Sequence, residues 1–158
     1  VLGDILAIAL LERKGFSKTD YKQRHPGGKL GAILQKVSDL MHKGIEIPLV
    51  SDTSDMQKAL LEMTSKMLGC VGIVDKDNHL LGIITDGDLR RFISTDILTK
   101  KATDVMTPNP KVTTPDVLVA EAANIMNSKK ITQLFVVDKD NIPVGIIHLH
   151  DCLHAGVA

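Results

Sequence analysis

An apolar run in the first half of the chain ends at a hydroxyl and a carboxyl group. Gly82-Ile83-Ile84 is followed directly by Thr85, and Asp88 comes three positions later, where a helix is predicted to begin. The first N–H groups of a helix lack intrahelical partners and attract anions. An aspartate beside them accepts hydrogen bonds from a ribose diol. The spacing therefore predicts a site for a phosphate and a ribose at this turn.

The same pattern recurs sixty-three residues later as Gly145-Ile146-Ile147, followed by His148 and Asp151. His148 stands in the hydroxyl position, whereas Asp151 keeps the acidic one. We therefore predict a second ligand-binding site that binds a ribose less well than the first, or that takes a different ligand.

Two arginines extend the first motif. Arg90 and Arg91 lie on the predicted helix, from which a guanidinium group is able to reach a ligand phosphate. The alternative is a solvated helix face. For Thr85 and Asp88 the alternative is a plain helix N-cap, stabilising by about 1 kcal/mol and binding nothing.

Three histidines near the end of the chain raise the question of a metal site. His150 and His154 are four residues apart and share a helix face, with His148 just before them. A paired Cys or a Glu at the spacing of a recognised zinc pattern does not accompany them. The sequence therefore predicts no metal site.

Longer stretches identify a tandem duplication. The run Val-Asp-Lys-Asp-Asn at residues 74–78 recurs unchanged at residues 137–141, and the Gly-Ile-Ile runs share the same offset. Two identical blocks in one register indicate two copies of one unit. Two copies are too few for a solenoid, so we predict a paired module with pseudo-twofold symmetry.

Each copy is predicted to be a β-α-β-β-α unit, which gives an α/β (α+β) fold. The Asp-Lys-Asp-Asn runs favour hairpin turns between two strands, and the last helices are expected to start at Asp86 and Leu149. Thr114-Pro115 predicts the start of the second long helix. An apolar stripe of helical period predicts the first one; it consists of Met56, Ala59, Leu60, Met63 and Met67.

Composition excludes several classes of function. Aromatic residues make up only 3%, which disfavours the stacking platforms of single-strand nucleic-acid binders. Nineteen basic and nineteen acidic residues cancel, so no net field steers the chain towards nucleic acid or an anionic membrane. No apolar run has the length of a membrane span. Cys70 and Cys152 are isolated from each other, as expected for reduced core residues of a cytosolic protein.

These motifs together resemble the CBS domain. The resemblance rests on the Asp-x-Met opening of each copy, the Val-Asp turn, and the run from Gly82 to Arg91. Residues 37–158 are thus similar to a CBS pair, with domains at 37–96 and 102–158.

The first thirty-six residues resemble a different domain. Leu2-Gly3-Asp4 and the His-Pro-Gly-Gly run that begins at His25 are similar to the C-terminal end of the sugar-isomerase (SIS) domain in KpsF/GutQ-type arabinose 5-phosphate isomerases. Residues 1–14 are apolar almost all round, as in a helix buried against something larger. The chain begins in this helix without Met, so we expect a fragment of a longer protein.

The resemblance implies a cytoplasmic, homotetrameric isomerase of a Gram-negative bacterium. It would interconvert ribulose 5-phosphate and arabinose 5-phosphate on the route to Kdo for lipopolysaccharide or capsule, with no cofactor. The histidine of the His-Pro-Gly-Gly run is an active-site residue in that family, and it corresponds to His25. Because the rest of that site would lie upstream of Val1, we expect the fragment alone to be inactive.

The role implied for the pair is binding of a nucleotide or sugar nucleotide: AMP, ATP, CMP or CMP-Kdo. We expect the fragment to form a homodimer. One alternative is an assembly module without a ligand, and another is a different CBS-bearing protein such as a transporter or dehydrogenase. Residues 1–36 argue against the latter, since they contain neither a membrane span nor a dehydrogenase motif.

Overall fold

The computed structural model describes residues 34–92 and 96–157, which form two small sheets flanked by helices. The helices, in chain order, are α1 Val37–Leu40, α2 Met56–Lys66, α3 Asp86–Arg91, α4 Ala102–Val105, α5 Val119–Lys129 and α6 Leu149–His154. The strands are β1 Leu49–Ser51, β2 Cys70–Val74, β3 Leu80–Thr85, β4 Thr107–Pro108, β5 Val112–Thr113, β6 Gln133–Val137 and β7 Pro143–His148. Single 3-10 turns lie at Gly44–Glu46 and Ile97–Thr99.

Both copies have the predicted β-α-β-β-α order. In the first copy β1 pairs parallel with β2, and β2 pairs antiparallel with β3. In the second copy β5, β6 and β7 repeat that pairing. The Asp-Lys-Asp-Asn runs connect β2 to β3 and β6 to β7, and α3 and α6 start at Asp86 and Leu149, as predicted.

The two copies exchange their opening segments. β4 belongs to the second copy in sequence but pairs antiparallel with β3 of the first. Reciprocally, His42 of the first copy forms a bridge with Ile146 of β7. Val37 of α1 packs into the core of the second copy, while Ala102 and Val105 of α4 pack into the core of the first. Neither core is therefore complete within one copy.

A third apolar cluster joins the copies along their sheets. It includes Cys70 from β2 and Phe135 from β6, both fully buried. Burial raises the pKa of the Cys70 thiol to about 12, and Cys152 is buried in the core of the second copy. Both cysteines are core residues, as predicted.

The apolar stripe predicted for α2 is confirmed within the helix but not beyond its end. Met56, Ala59 and Met63 are buried. Met67, predicted to extend the stripe, is 87% exposed. The reason is that α2 ends at Lys66 and Met67 adopts a left-handed conformation with φ 55°, which turns its side chain away from the stripe.

The second long helix starts later than Thr114-Pro115 predicts. The N–H of Val117 donates to the carbonyl of Thr114 over 3.3 Å, which closes a turn instead of a helix. α5 begins at Val119, with Leu118 as its N-cap. A Thr-Pro pair also initiates tight turns, and here the turn leads the chain past α1 before the helix begins.

Several predictions concern residues for which no structure is described. The helix predicted in residues 1–14 and the His-Pro-Gly-Gly run with His25 lie outside the described residues. Across 34–92 and 96–157, no helix has the length and hydropathy needed to cross a membrane.

Candidate functional site

An open cleft of about 570 Å³ lies where the β3–α3 turn of the first copy faces the second copy. The first copy contributes Gly69, Thr85, Asp86, Asp88, Arg90 and Arg91. The second copy contributes Thr107, Asn109, Lys111, Lys130, Thr132 and Gln133. Four of the predicted site residues, Thr85, Asp88, Arg90 and Arg91, thus share one cleft with residues of the other copy.

Asp88 is the central acidic group of this cleft, and its residue is only 2% exposed. Its Oδ2 accepts hydrogen bonds from the N–H and the hydroxyl of Thr85, over 2.9 and 2.7 Å. Its Oδ1 accepts from the hydroxyl of Thr107, over 3.0 Å. Asp88 therefore caps α3 and also ties the first copy to the exchanged strand β4 of the second.

The two arginines are exposed and engaged differently. Arg91 Nη2 lies 3.5 Å from Asp88 Oδ1, with its side chain 71% exposed. Arg90 Nε donates to the carbonyl of Asp86, over 3.3 Å. Both guanidinium groups keep free donors at the edge of the cleft, because a guanidinium has five.

The N–H groups at the start of α3 are less available than the sequence suggested. The N–H of Asp86 donates to the carbonyl of Gly69 over 3.3 Å, and that of Asp88 to the hydroxyl of Thr85 over 3.4 Å. The helix has only six residues, and Asp86 and Asp88 add negative charge to its first turn. The attraction for anions in this cleft therefore comes mainly from the side-chain cations.

His148 and Asp151 occupy the corresponding place in the second copy, away from this cleft. Asp151 Oδ2 accepts from the N–H of His148 over 2.9 Å and lies 3.2 Å from His42 Nε2. His42 Nδ1 lies 3.4 Å from Glu46 Oε2. The bond between His42 and Asp151 corresponds to the one between Thr107 and Asp88.

His148 is the N-cap residue of α6, and His150 and His154 lie on the helix itself. His148 Nδ1 accepts from the N–H of His150 over 3.1 Å. Burial, followed by the neighbouring His150, lowers the pKa of His148 below its ordinary 6.5, so the ring is neutral at pH 7. The ring centroids of His150 and His154 are 6.5 Å apart.

A cluster that the motifs did not indicate lies in the β2–β3 turn. Single ligand atoms of Asp75, Asp77 and His79 lie within 4.8 Å of one another, as in a metal site. However, Asp75 Oδ2 is already bonded to His79 Nδ1 over 2.9 Å. Asp75 Oδ1 accepts from the N–H groups of Asp77 and His79, over 2.9 and 2.8 Å. These bonds give the cluster a structural role in the turn.

Sequence reasoning missed the second copy's contribution to the cleft. Thr107 follows Met106 just as His42 follows Met41, and this equivalence was the available signal. Lys111 and Lys130 carry no motif. They reach the cleft only because the copies pack face to face.

The cleft is equipped to bind a ligand. A buried carboxylate, several hydroxyl and amide groups and four exposed cations match a ligand with a polyol and a phosphate. Neither His nor Cys is among the described residues that line it, so the usual general base and thiol nucleophile are missing from this part of the wall.

Comparison with known proteins bears on both the fold and the cleft. The family model of the CBS domain matches twice, at residues 37–95 and 102–158. The chain is similar in structure to CBSX2 in complex with AMP, with a TM-score of 0.66 and 25% identity, over 77% of this chain and 96% of that one. The predicted fold, a tandem CBS pair, is therefore confirmed.

Curated relatives from several bacteria carry the name arabinose 5-phosphate isomerase KdsD, among them the two described next. The protein from Pseudomonas aeruginosa is 48% identical over 160 residues, which is 99% of this chain and 49% of the relative. The protein from Escherichia coli (strain K12) is 46% identical over 160 residues, 99% of this chain and 48% of the relative. The chain thus spans about half the length of the curated relatives that it matches.

Proposed function

This chain belongs to the CBS domain family, and we propose that its pair of CBS domains is a nucleotide-binding regulatory module of a sugar-phosphate isomerase. The observation that carries the proposal is the cleft in which Thr85 and Asp88 of one domain face cations of the other. We assign the domains to residues 37–96 and 102–158, preceded by the tail of a SIS domain at residues 1–36.

In the proposed complex the ribose of a nucleotide binds at Asp88 and its phosphate binds the cations. Asp88 Oδ1 accepts from Thr107 in the free protein, and a carboxylate oxygen has more than one lone pair. A ribose hydroxyl is able to share or replace that donor. Arg90 and Arg91 offer charge-assisted hydrogen bonds to the phosphate. The AMP held by CBSX2, which has a similar fold, supports the ligand class.

The isomerase assignment rests on the relatives named arabinose 5-phosphate isomerase. The reaction proposed for the whole protein interconverts ribulose 5-phosphate and arabinose 5-phosphate in the cytoplasm, in a homotetramer. His25 is the proposed active-site residue of this chain, since a histidine with a pKa near neutrality suits proton transfer in an enediol mechanism. A downstream sugar nucleotide such as CMP-Kdo would then act by feedback, provided that it binds two arrangements of the tetramer with different affinity.

Exposed apolar side chains favour a second candidate function, a module that assembles subunits without a ligand. Ile45 is 89% exposed and Leu61 is 66% exposed, and burial of such groups in a dimer is favourable. In this case the chain self-associates, but its cleft binds no nucleotide.

Calorimetric titration with AMP, ATP, CMP and CMP-Kdo tests the proposal. We expect saturable binding of at least one of them, lost in Asp88→Ala and kept in Asp151→Ala. Asp151→Ala is the matched control because Asp151 caps α6 as Asp88 caps α3 but does not line the cleft. Circular dichroism checks that both variants fold. If Asp88→Ala does not fold, Thr107→Val serves as a milder change in the cleft. A folded dimer that binds none of the four ligands would favour the assembly module.

A further inference from the structure

The pseudo-twofold symmetry relates the cleft to a second place in the pair, which we call the second half-cleft and which lies around His42, Glu46, Lys66 and Asp151. The backbone has the same arrangement in both places. Asp88 corresponds to Asp151, and Thr107 to His42. Met67 and Lys130 are equivalent C-cap residues with the same left-handed φ of 55°. The side chains at corresponding positions in the two places can therefore be compared directly.

Three of the four cations of the cleft have no lysine or arginine at the corresponding position of the second half-cleft. Arg90 and Arg91 correspond to Leu153 and His154, and Lys130 corresponds to Met67, all at the offset of sixty-three residues. The symmetry of the backbone is thus not a symmetry of charge.

The cleft carries a surplus of positive charge. Four cations and two carboxylates line it, and Asp88 already accepts three hydrogen bonds. Lys111 and Lys130 are exposed. Neither makes a salt bridge with any carboxylate in the described part of the chain. These two ammonium groups are therefore available to an anion, and they belong to the domain opposite the arginines.

The second half-cleft has the opposite character. A depression of about 330 Å³ lies beside His42 and is lined by Glu46 and Lys66. Lys66 Nζ lies 3.6 Å from Glu62 Oε1, and Glu46 and Asp151 flank His42. A phosphate placed here would face two carboxylates, and the one lysine beside it is already paired.

We infer that residues 34–92 and 96–157 of each chain hold one site for a polyanion: the cleft, in which Lys111 and Lys130 hold the charged end of the ligand together with Arg90 and Arg91. The inference rests on the proposed function for the nucleotide but extends it to the stoichiometry and to the two lysines. Its ligand carries a phosphate group with two or more negative charges, and the second half-cleft does not bind it.

Titration of the full chain with ATP, AMP and inorganic tripolyphosphate tests the inference. We expect one equivalent of ATP and one of tripolyphosphate per chain, competing with each other. In Lys111→Gln/Lys130→Gln the affinity for ATP falls by about tenfold to a hundredfold, the worth of one or two charge-assisted hydrogen bonds, and falls less for AMP. Lys66→Gln/Lys129→Gln removes the same charge outside the cleft and leaves the affinity unchanged within about twofold.

The outcomes separate the inference from the proposed function. Two equivalents of ATP per chain, or an affinity that does not respond to loss of Lys111 and Lys130, would overturn the inference while nucleotide binding stands. One equivalent of tripolyphosphate without binding of any nucleotide would support the polyanion site and end the nucleotide proposal. Failure of all probes to bind, by calorimetry and by thermal shift, would overturn both. The lysines are exposed, so the variants are expected to fold.

Discussion

Asp88 has a structural role that conflicts with its proposed role in binding. As the N3 residue of the α3 capping box it is buried, and its oxygens accept hydrogen bonds from Thr85 and Thr107. In the proposed complex it must also offer an oxygen to a ribose hydroxyl. The Thr107 hydroxyl is the donor that reaches Asp88 from the other domain. A ligand that takes its place would exchange a bond between domains for a bond to itself, and this is a direct physical route from binding to domain arrangement.

The pair formed by Asp75 and His79 makes stability depend on pH. The hydrogen bond to Asp75 and its negative charge raise the pKa of His79 above 6.5, and the bond to His79 lowers the pKa of Asp75 below 3.8. The histidine's contribution is fully present below its unfolded pKa and is lost as the pH rises through the raised folded pKa. The aspartate's contribution is present above its unfolded pKa and is lost as the pH falls through the lowered one. His79→Gln should therefore lower the urea midpoint more at about pH 5.5 than at about pH 8.5.

The second domain supplies the control for that measurement. Asp138 accepts from the N–H groups of Asp140 and Ile142, both over 2.9 Å, so Ile142 stands where the first domain has His79. Ile142→Gln makes a substitution at the corresponding position of the β6–β7 turn, where no side chain titrates with it. Its effect on the urea midpoint should be the same at both pH values. An equal loss at both pH values for His79→Gln would show that the ion pair does not form in solution.

At the residue level, sequence motifs predicted the site residues that the first domain contributes to the cleft, because these lie on one continuous segment of the chain. Thr85, Asp88 and the two arginines are local to one strand-to-helix turn, so their spacing alone brought them together. Thr107 and Lys111 were not predicted, because they reach the cleft through the exchange of segments. That exchange is a contact between distant parts of the chain, and no local pattern encodes it.

Strands β2 and β6 pack against each other through a glycine and an aromatic ring at symmetry-related positions. A Cβ at Gly72 would lie 2.8 Å from Phe135 Cζ and 2.9 Å from Leu49 Cδ2. Position 135 is the counterpart of position 72 in the second domain. Gly72 and Phe135 thus break the symmetry of the duplication. The absence of a side chain at position 72 leaves the space between the sheets that the ring of Phe135 fills.

A double-mutant cycle measures this packing. Gly72→Ala should lower the free energy of unfolding by about 1–3 kcal/mol, because a buried β-strand cannot move aside for the added methyl group. Phe135→Leu replaces the ring by a shorter aliphatic side chain and leaves room for the methyl group. The double variant should therefore be more stable than the sum of the single changes predicts, by about 0.5–1 kcal/mol. Rescue is partial because Leu49 remains close. Strict additivity in urea unfolding would mean that the sheets shift apart to accommodate the methyl group.

Element prediction was accurate where a short-range signal exists. The Asp-Lys-Asp-Asn turns identified both hairpins because their residues favour the turn dihedrals, as the positive φ of Asn78 and Asn141 shows. The end of α2 at Lys66 was not predicted, since the left-handed conformation of Met67 is uncommon for residues other than Gly and Asn. The start of α5 was misplaced because Thr-Pro signals a turn as well as a helix.

For the whole molecule, the exchanged segments and the shared cleft predict that the two domains unfold together. Each core contains a helix from the other domain, so loss of one domain exposes apolar surface of the other. We expect a single calorimetric transition for the two domains, residues 34–92 and 96–157, with equal calorimetric and van't Hoff enthalpies. Two transitions, of which only one moves with a ligand, would show that the domains unfold independently despite the exchange.

A bound nucleotide should stabilise both domains at once. ATP or another nucleotide at a hundred times its dissociation constant should add about 2.7 kcal/mol to the free energy of unfolding and raise Tm by about 5–10 °C. Asp88→Ala should abolish this rise and Asp151→Ala should keep it.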